Sequence, residues 1–360
     1  MSLTFPLHSN PSPASEADVA RVLAAPGFGD HFTDHMAVAT WTAAAGWTDA
    51  EIRPYGPFQL DPATAVLHYA QEVFEGLKAY RHDDGSIHLF RPEANARRFQ
   101  TSAARLMLPK LEVEDFLEAV AGLVRADERW VPQAQGEQSL YLRPFMFASE
   151  VFLGVRAAQT VTFCVIASPS GPYFTGGVKP IDIWVTDTYA RAGVGGTGAA
   201  KCGGNYAASL IAQYEGLEHG CSQVLFIEAA AKDRVEELGG MNVFLVTADG
   251  RLLTPALTGT ILEGITRDSI LTVAADLGLR PEERRITPQE LFDGISAGTT
   301  VEAFSCGTAA VVTPIGGFKS TGGEWRLPQH GSPVTLGIRN AILDIQYGRA
   351  VDSHGWLRRV

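Results

Sequence analysis

The sequence predicts a two-domain protein of mixed α/β (α+β) class. Three observations carry that expectation. The chain has 360 residues, more than one core usually organises at roughly 100–200 residues per domain. Both halves interleave helical and strand periodicities. Between them lies a stretch rich in Pro, Gly and Ser, Pro169 to Pro180, which reads as an interdomain linker. The expected division is a smaller N-terminal domain over 1–168 and a larger C-terminal domain over 181–360 that carries Lys201.

Taken in order, Ser15 followed by Asp18 predicts a helix N-cap, and Pro26 ends the short helix behind it. His35 to Thr42 reads as a strand. Gly76–His82 and Ser86–Arg91 flank Asp84-Gly85 and predict a β-hairpin. Pro92 suits the first turn of a helix running to about Met107. Phe116, Val120, Leu123 and Val124 recur at helical spacing, which predicts a helix over Val113–Ala126. Strands follow at Ser139–Ala148 and Thr160–Ser168. The second half opens with a strand at Ile181–Asp187 and a glycine-rich loop from Gly193 to Gly204. A helix runs from Tyr206 to about His219. Strands fit Gln223–Glu228 and Met241–Ala248, the latter turning at Asp249-Gly250. A helix opens near Gly264 and ends by Gly278. Val301–Ser305 and Ala310–Thr313 flank a tight turn, and Thr335–Tyr347 is the last long helix.

Composition excludes several classes. The apolar fraction is 46% and the charged fraction 19%, the balance of a globular chain and not of a disordered one. The formal charge of −11 argues against nucleic acid, which needs a basic surface to displace counterions. Met1 to Asn10 lacks a secretory signal's basic start and apolar run. No window of about 20 residues is apolar enough for a membrane span. Cys164, Cys202, Cys221 and Cys306 are far apart and form no CxxC, so neither a metal site nor a disulfide framework is expected. A cytoplasmic location follows as the expectation.

Lys201 is a single long amine among small residues, in Gly195-Gly196-Thr197-Gly198-Ala199-Ala200-Lys201-Cys202-Gly203-Gly204. A lysine whose pKa is depressed condenses with carbonyls, and small neighbours leave room for a flat ring. The loop lacks the GK[ST] of a phosphate loop. Glu237 precedes an apolar strand, and a carboxylate beside a pyridine nitrogen keeps that nitrogen protonated. Gly264-Ile265-Thr266 opens a helix, whose free N–H groups suit phosphate. Gly307-Thr308-Ala309 can present N–H groups and a hydroxyl to an anion. Tyr141 and Arg143 alternate along one strand and so share a face, where they can hold a carboxylate. Taken singly, these segments also read as a loop lysine, a solvated acidic turn, a plain helix start, a hairpin turn and a half-buried strand.

Together and in this order, five runs resemble one family. They are Phe32-Thr33-Asp34-His35-Met36, Phe74-Glu75-Gly76-Leu77-Lys78-Ala79-Tyr80, Tyr141-Leu142-Arg143-Pro144, Lys201-Cys202-Gly203-Gly204-Asn205-Tyr206 and Gly307-Thr308-Ala309. The chain resembles the branched-chain amino-acid aminotransferases, pyridoxal-phosphate enzymes of fold type IV, over nearly its whole length. The resemblance implies a two-domain fold type IV architecture, pyridoxal 5'-phosphate as cofactor, and branched-chain amino acids, glutamate and 2-oxo acids as substrates. It also implies a homodimer.

Residue by residue, Lys201 matches the lysine that is joined to the cofactor and later shuttles the proton. Tyr206 matches the tyrosine at the cofactor's phenolic oxygen, and Glu237 the carboxylate at its pyridine nitrogen. Arg98, Ile265, Thr266 and Thr308 match the phosphate cup. Tyr141, Thr308 and Ala309 match the site of the substrate α-carboxylate, and Arg143 the residue near glutamate's distal carboxylate. Phe32, Tyr69, Phe74 and Tyr173 match the apolar wall around the branched side chain. Two positions depart from the pattern. Ala310 and Thr313 stand where mammalian members carry a redox CxxC, and Gly240 replaces a threonine found in some members. The rival expectations are a D-amino-acid aminotransferase or aminodeoxychorismate lyase of the same fold class, and a non-catalytic binding protein that keeps the fold.

Overall fold

The computed structural model describes residues 2–172, 177–328 and 330–360. The chain folds into two compact units, Met1–Tyr173 with Ala200–Gly203 and Ile345–Val360, and Phe174–Ala199 with Gly204–Asp344. The sequence reading cut the chain once, between 169 and 180. The observed grouping differs in two segments. Ala200–Gly203 and the C-terminal tail both belong with the first unit, so Lys201 is carried by the unit built mainly from the N-terminal half and not by the C-terminal one. The reason is hydrogen bonding: Phe74 N–H donates to the Lys201 carbonyl at 3.0 Å, and Lys201 N–H donates to Ser102 Oγ at 2.9 Å.

The first unit opens with helix α1 (Glu16–Ala24), whose N-cap Ser15 accepts from the Asp18 amide. Strands β1 (His35–Thr42) and β2 (Gly46–Pro54) follow, then the short helix α2 (Ala65–Tyr69) and strands β3 (Glu72–Phe74), β4 (Leu77–Arg81) and β5 (Ile87–Phe90). Gly85 turns the β4–β5 connection at φ +83°, a conformation that L side chains resist. Helix α3 (Pro92–Arg105) begins on its proline, and α4 spans Val113–Ala126. The four apolar residues that predict α4 are at most 1% exposed, and each such side chain stabilises the fold by roughly 1.5–3 kcal/mol. Strands β6 (Ser139–Ala148) and β7 (Thr160–Ser170) complete this run, β7 ending two residues later than expected. The strands order β5-β4-β6-β7-β1-β2 with β3 on β6, every pair antiparallel. Phe99, Phe116 and Phe163 meet beneath the sheet with ring centroids 5.4–6.3 Å apart.

The second unit contains β8 (Ile181–Thr186), all of α5 (Gly203–Glu218) but its first residue, β9 (Gln223–Ile227), β10 (Val235–Leu238), β11 (Asn242–Thr247) and β12 (Arg251–Pro255). Then come α6 (Ile265–Asp276), β13 (Arg280–Arg284), α7 (Pro288–Ser296), β14 (Thr300–Gly307), β15 (Val311–Ser320), β16 (Gly323–Arg326) and α8 (Pro333–Gln346). The order is β10-β9-β8-β15-β14-β11-β12-β13, with β16 on β15. β8 and β9 pair in parallel because α5 is the crossover between them. Three local expectations change. α5 begins at Gly203, three residues before Tyr206. β14 runs through Cys306 and Gly307, which confines the turn to Thr308–Ala310. Glu236 and Glu237, expected just ahead of an apolar strand, themselves lie in a strand, β10, at 1% and 2% exposure. The last strand, β17 (Leu357–Arg359), adds to β5 of the first unit. Among the described residues no helix is long and apolar enough to cross a membrane.

Candidate active site

In the first unit the polar groups converge because of helical spacing on α3. Asn95, Arg98 and Ser102 lie at i, i+3 and i+7, so they share one face. Glu75, in the turn between β3 and β4, is fully buried. Its carboxylate accepts Arg98 Nε at 2.7 Å, Arg98 Nη2 at 2.8 Å and Asn95 Nδ2 at 2.7 Å. Ser102 takes the Lys201 amide, as above. Burial outweighs every other influence on Glu75 singly and works to raise its pKa, but Arg98, Lys201 and Asn95 together hold the carboxyl below its usual range. Lys201 is partly buried, with its Nζ 4.8 Å from the Phe74 ring centroid. Burial, and next the Arg98 charge, push its ammonium down to about 8, while Glu75 opposes them.

Strand alternation organises the rest of this unit. On β6, Leu140, Leu142 and Met146 enter the core, while Tyr141, Arg143 and Phe145 take the other face. Arg143 Nη2 donates to the Tyr141 hydroxyl at 3.1 Å, and its guanidinium carbon lies 4.8 Å from the Phe74 ring centroid. Arg143 Nε is buried without a hydrogen-bond partner. Phe28, Phe32, Tyr141, Arg143, Ile166 and Ala167 line a cavity of about 190 Å³. Gly76 is required here, since a Cβ would overlap the Tyr141 hydroxyl and come within 2.9 Å of its ring carbon Cζ. Phe32 stacks on Tyr55 at 5.1 Å. Tyr69 stands apart from this cavity, 39% exposed, and donates to the Leu153 carbonyl. Tyr173 lies outside the described residues.

In the second unit Glu237 is the centre. Its Oε1 accepts the Leu262 amide at 2.8 Å and lies 2.8 Å from Arg191 Nη1, and its Oε2 accepts Asn242 Nδ2 at 3.1 Å. Gly264 caps α6 without a side-chain cap bond, and Ile265 and Thr266 form the first turn. A Cβ on Gly264 would overlap Asn242 Oδ1, so only glycine brings this helix start so close to the carboxylate's partner. Asn242 pairs with Cys306 across β11 and β14, just before Thr308 and Ala309 in the turn. A Cβ on Gly240 would touch Tyr206 at 3.5 Å, which places the missing threonine side chain against that phenol ring.

Each unit thus gathers its share of the expected residues: Lys201, Arg98, Tyr141, Arg143, Phe32 and Phe74 in one, Glu237, Tyr206, Ile265, Thr266, Thr308 and Ala309 in the other. Sequence reasoning missed Glu75, Asn95, Ser102, Arg191 and Asn242. For α3 a signal was present, since Asn95, Arg98 and Ser102 interrupt the apolar stripe of Ala96, Phe99 and Ala103 at helical spacing. Arg191 and Asn242 carry no comparable local mark.

Comparison with known proteins identifies the family. A family model described as amino-transferase class IV matches residues 72–317. A probable branched-chain-amino-acid aminotransferase of Streptomyces coelicolor is 54% identical, over 98% of each chain. The branched-chain aminotransferase of Thermoproteus uzoniensis, solved with norvaline, superposes with a TM-score of 0.73 at 28% identity, over 90% of this chain and 99% of that one. A T.th. branched-chain amino acid aminotransferase, complexed with N-(5'-phosphopyridoxyl)-L-glutamate, gives 0.71 at 28%, over 89% and 98%.

Proposed function

The chain belongs to the class IV amino-transferase family, and on that premise we propose that it moves amino groups reversibly between L-leucine, L-isoleucine or L-valine and 2-oxoglutarate. It is a pyridoxal-phosphate-dependent transaminase. The observation that carries the reading is the Lys201 amine, its pKa lowered to about 8 by burial and by Arg98, in a unit that also offers Tyr141 and Arg143 around an apolar cavity.

The residues fit pyridoxal 5'-phosphate. Glu237, buried, held by two hydrogen-bond donors and paired with the Arg191 charge, suits a protonated pyridine nitrogen. The first turn of α6, which has no side-chain cap, suits the phosphate, with Thr308 as a further donor; the family resemblance gives Arg98 the same task. Tyr206 offers a phenol to the ring oxygen, and Lys201 Nζ the amine to which the group is joined. When bound, the group supplies an electron sink at the substrate's α-carbon. Once the substrate's amine has replaced it there, the freed and neutral Lys201 Nζ would take the α-proton and return it to the neighbouring carbon. Tyr141, Thr308 and Ala309 orient the α-carboxylate. Phe32 and Phe74 exclude water around an aliphatic side chain, and Arg143 pairs the distal carboxylate of glutamate. Two half-reactions through one site give ping-pong kinetics.

The assembly we propose is a homodimer. Leu67, Val151, Leu153 and Val155 are 56–87% exposed around Tyr69, an apolar face that a second copy would cover. Four free, buried cysteines support a reducing, cytoplasmic compartment. The test is a steady-state assay of each branched-chain amino acid with 2-oxoglutarate, run beside D-alanine. Glutamate formation with leucine is expected; turnover confined to D-alanine would overturn the reading.

A further inference from the structure

Glu75 is the fully buried carboxylate of the first unit's polar cluster, and the reaction as described gives it no task. Its two oxygens accept Arg98 twice, Asn95 once and the Gly76 amide at 3.2 Å, which fills the capacity of a carboxylate. Its own amide donates to the Pro144 carbonyl at 2.7 Å, between Arg143 and Phe145. Stability alone does not account for it, because a buried ion pair is often no better than well-packed apolar residues of similar volume. Its charge acts on Lys201 in the sense opposite to Arg98 and Arg143. Glu75 therefore acts on two cations that the reaction uses, Arg98 by direct contact and Lys201 through the field.

We propose that Glu75 is a positioning residue for amino transfer: it holds the Arg98 guanidinium in one orientation and supplies the buried negative charge that balances the cations around Lys201. The inference rests on the reading that Arg98 binds the cofactor phosphate and Lys201 its aldehyde. The bidentate fork fixes the plane of the guanidinium through Nε and Nη2, so that Arg98 meets a phosphate without first losing side-chain freedom. The buried opposite charge of Glu75 also favours the ammonium form of Lys201.

The experiment uses the full chain freed of cofactor. Trace acetylation of Lys201 with acetic anhydride, followed by mass spectrometry across pH, reads the amine. Binding of pyridoxine 5'-phosphate, which has the phosphate but no aldehyde, reads Arg98. Glu75→Gln is expected to lower the Lys201 labelling midpoint by about 1 pH unit. It is expected to weaken pyridoxine 5'-phosphate about tenfold and to leave pyridoxine itself unaffected. Adding Glu75→Gln to Arg98→Met should weaken binding no further, since the two act as one unit. An unchanged midpoint, or losses that add in the double variant, would overturn the proposal. If Glu75→Gln does not fold, the pair Glu75→Met with Arg98→Met decides. Affinity equal to that of Arg98→Met alone supports the proposal, and weaker affinity overturns it. Arg98→Met by itself tests the reading beneath: unchanged affinity would end the phosphate role of Arg98, and the Lys201 midpoint would then decide the case of Glu75.

Discussion

Arg191 Nη1 lies 2.8 Å from Glu237 Oε1, and both side chains are at most 3% exposed. The same Arg191 nitrogen donates to the carbonyls of Gly198 and Thr260, at 3.2 and 3.3 Å. The carboxylate is thus locked from behind by a cation that is itself locked to the glycine-rich loop. Arg191→Met leaves Glu237 buried without its cation, and stability to urea should fall by about 3–5 kcal/mol. Glu237→Gln should keep cofactor binding through the phosphate donors while turnover drops about 100-fold. Equal turnover in mutant and wild type would remove Glu237 from the ring nitrogen.

Lys201→Ala should abolish transamination, by about 10⁴-fold or more, with the circular dichroism spectrum retained. The pH dependence has a definite sign. The neutral amine is the reactive form, and the folded pKa is lowered from 10.5 to about 8. In cofactor-free protein, Lys201 labelling should rise with pH and level off above about 8. A rate still climbing toward pH 10 would mean an ordinary surface lysine.

Arg143→Ala should harm the glutamate half-reaction more than the leucine half-reaction. A charge-assisted hydrogen bond contributes about 1.5–3 kcal/mol, and leucine has no distal carboxylate to lose. Each half-reaction can be followed singly by cofactor absorbance. Parallel losses would transfer the role to the ordering of Tyr141, which Arg143 contacts at 3.1 Å.

Gly76→Ala should displace the Tyr141 ring, because the added Cβ overlaps its hydroxyl. Overpacking of this kind costs about 1–3 kcal/mol. We expect KM for amino acids to rise together with a fall in kcat, and Tyr141→Phe in the Gly76→Ala background to relieve part of the stability loss. No relief would show that the clash is absorbed elsewhere.

Activity should be insensitive to mild oxidation. Burial pushes the Cys164 thiol up to about 12 and raises Cys306 further still, and the thiolate is the reactive form. All four cysteines are free and buried, and Ala310 and Thr313 supply no partner thiol beside Cys306. Dilute peroxide followed by a dithiol reductant gives the measurement; a large, reversible loss would point to Cys306 or Cys202.

Most helices and strands were legible from short-range pattern. The α4 stripe, the Ser15 cap and the alternation along β6 depend on backbone geometry between residues a few positions apart, and each stands where periodicity placed it. β10 was not legible as a buried strand. Glu236 and Glu237 are the wrong residues for a core until Arg191 is beside them, and Arg191 lies 46 positions upstream.

The sequence by itself determined where the chemistry-bearing groups stand along the chain: Lys201 among small residues, Glu237 before an apolar strand, Gly264 at a helix start, Tyr141 and Arg143 on one strand face. Only the tertiary structure decided what each is joined to. It bound Arg98 to Glu75, locked Glu237 with Arg191, and gathered Lys201 into the first unit through Phe74 and Ser102. The reason is physical. Local conformation follows from neighbours within a turn or a pleat, whereas the partner of a buried charge depends on which distant strands become adjacent and in what register. A buried carboxylate tolerates its loss of water only where that register brings it donors.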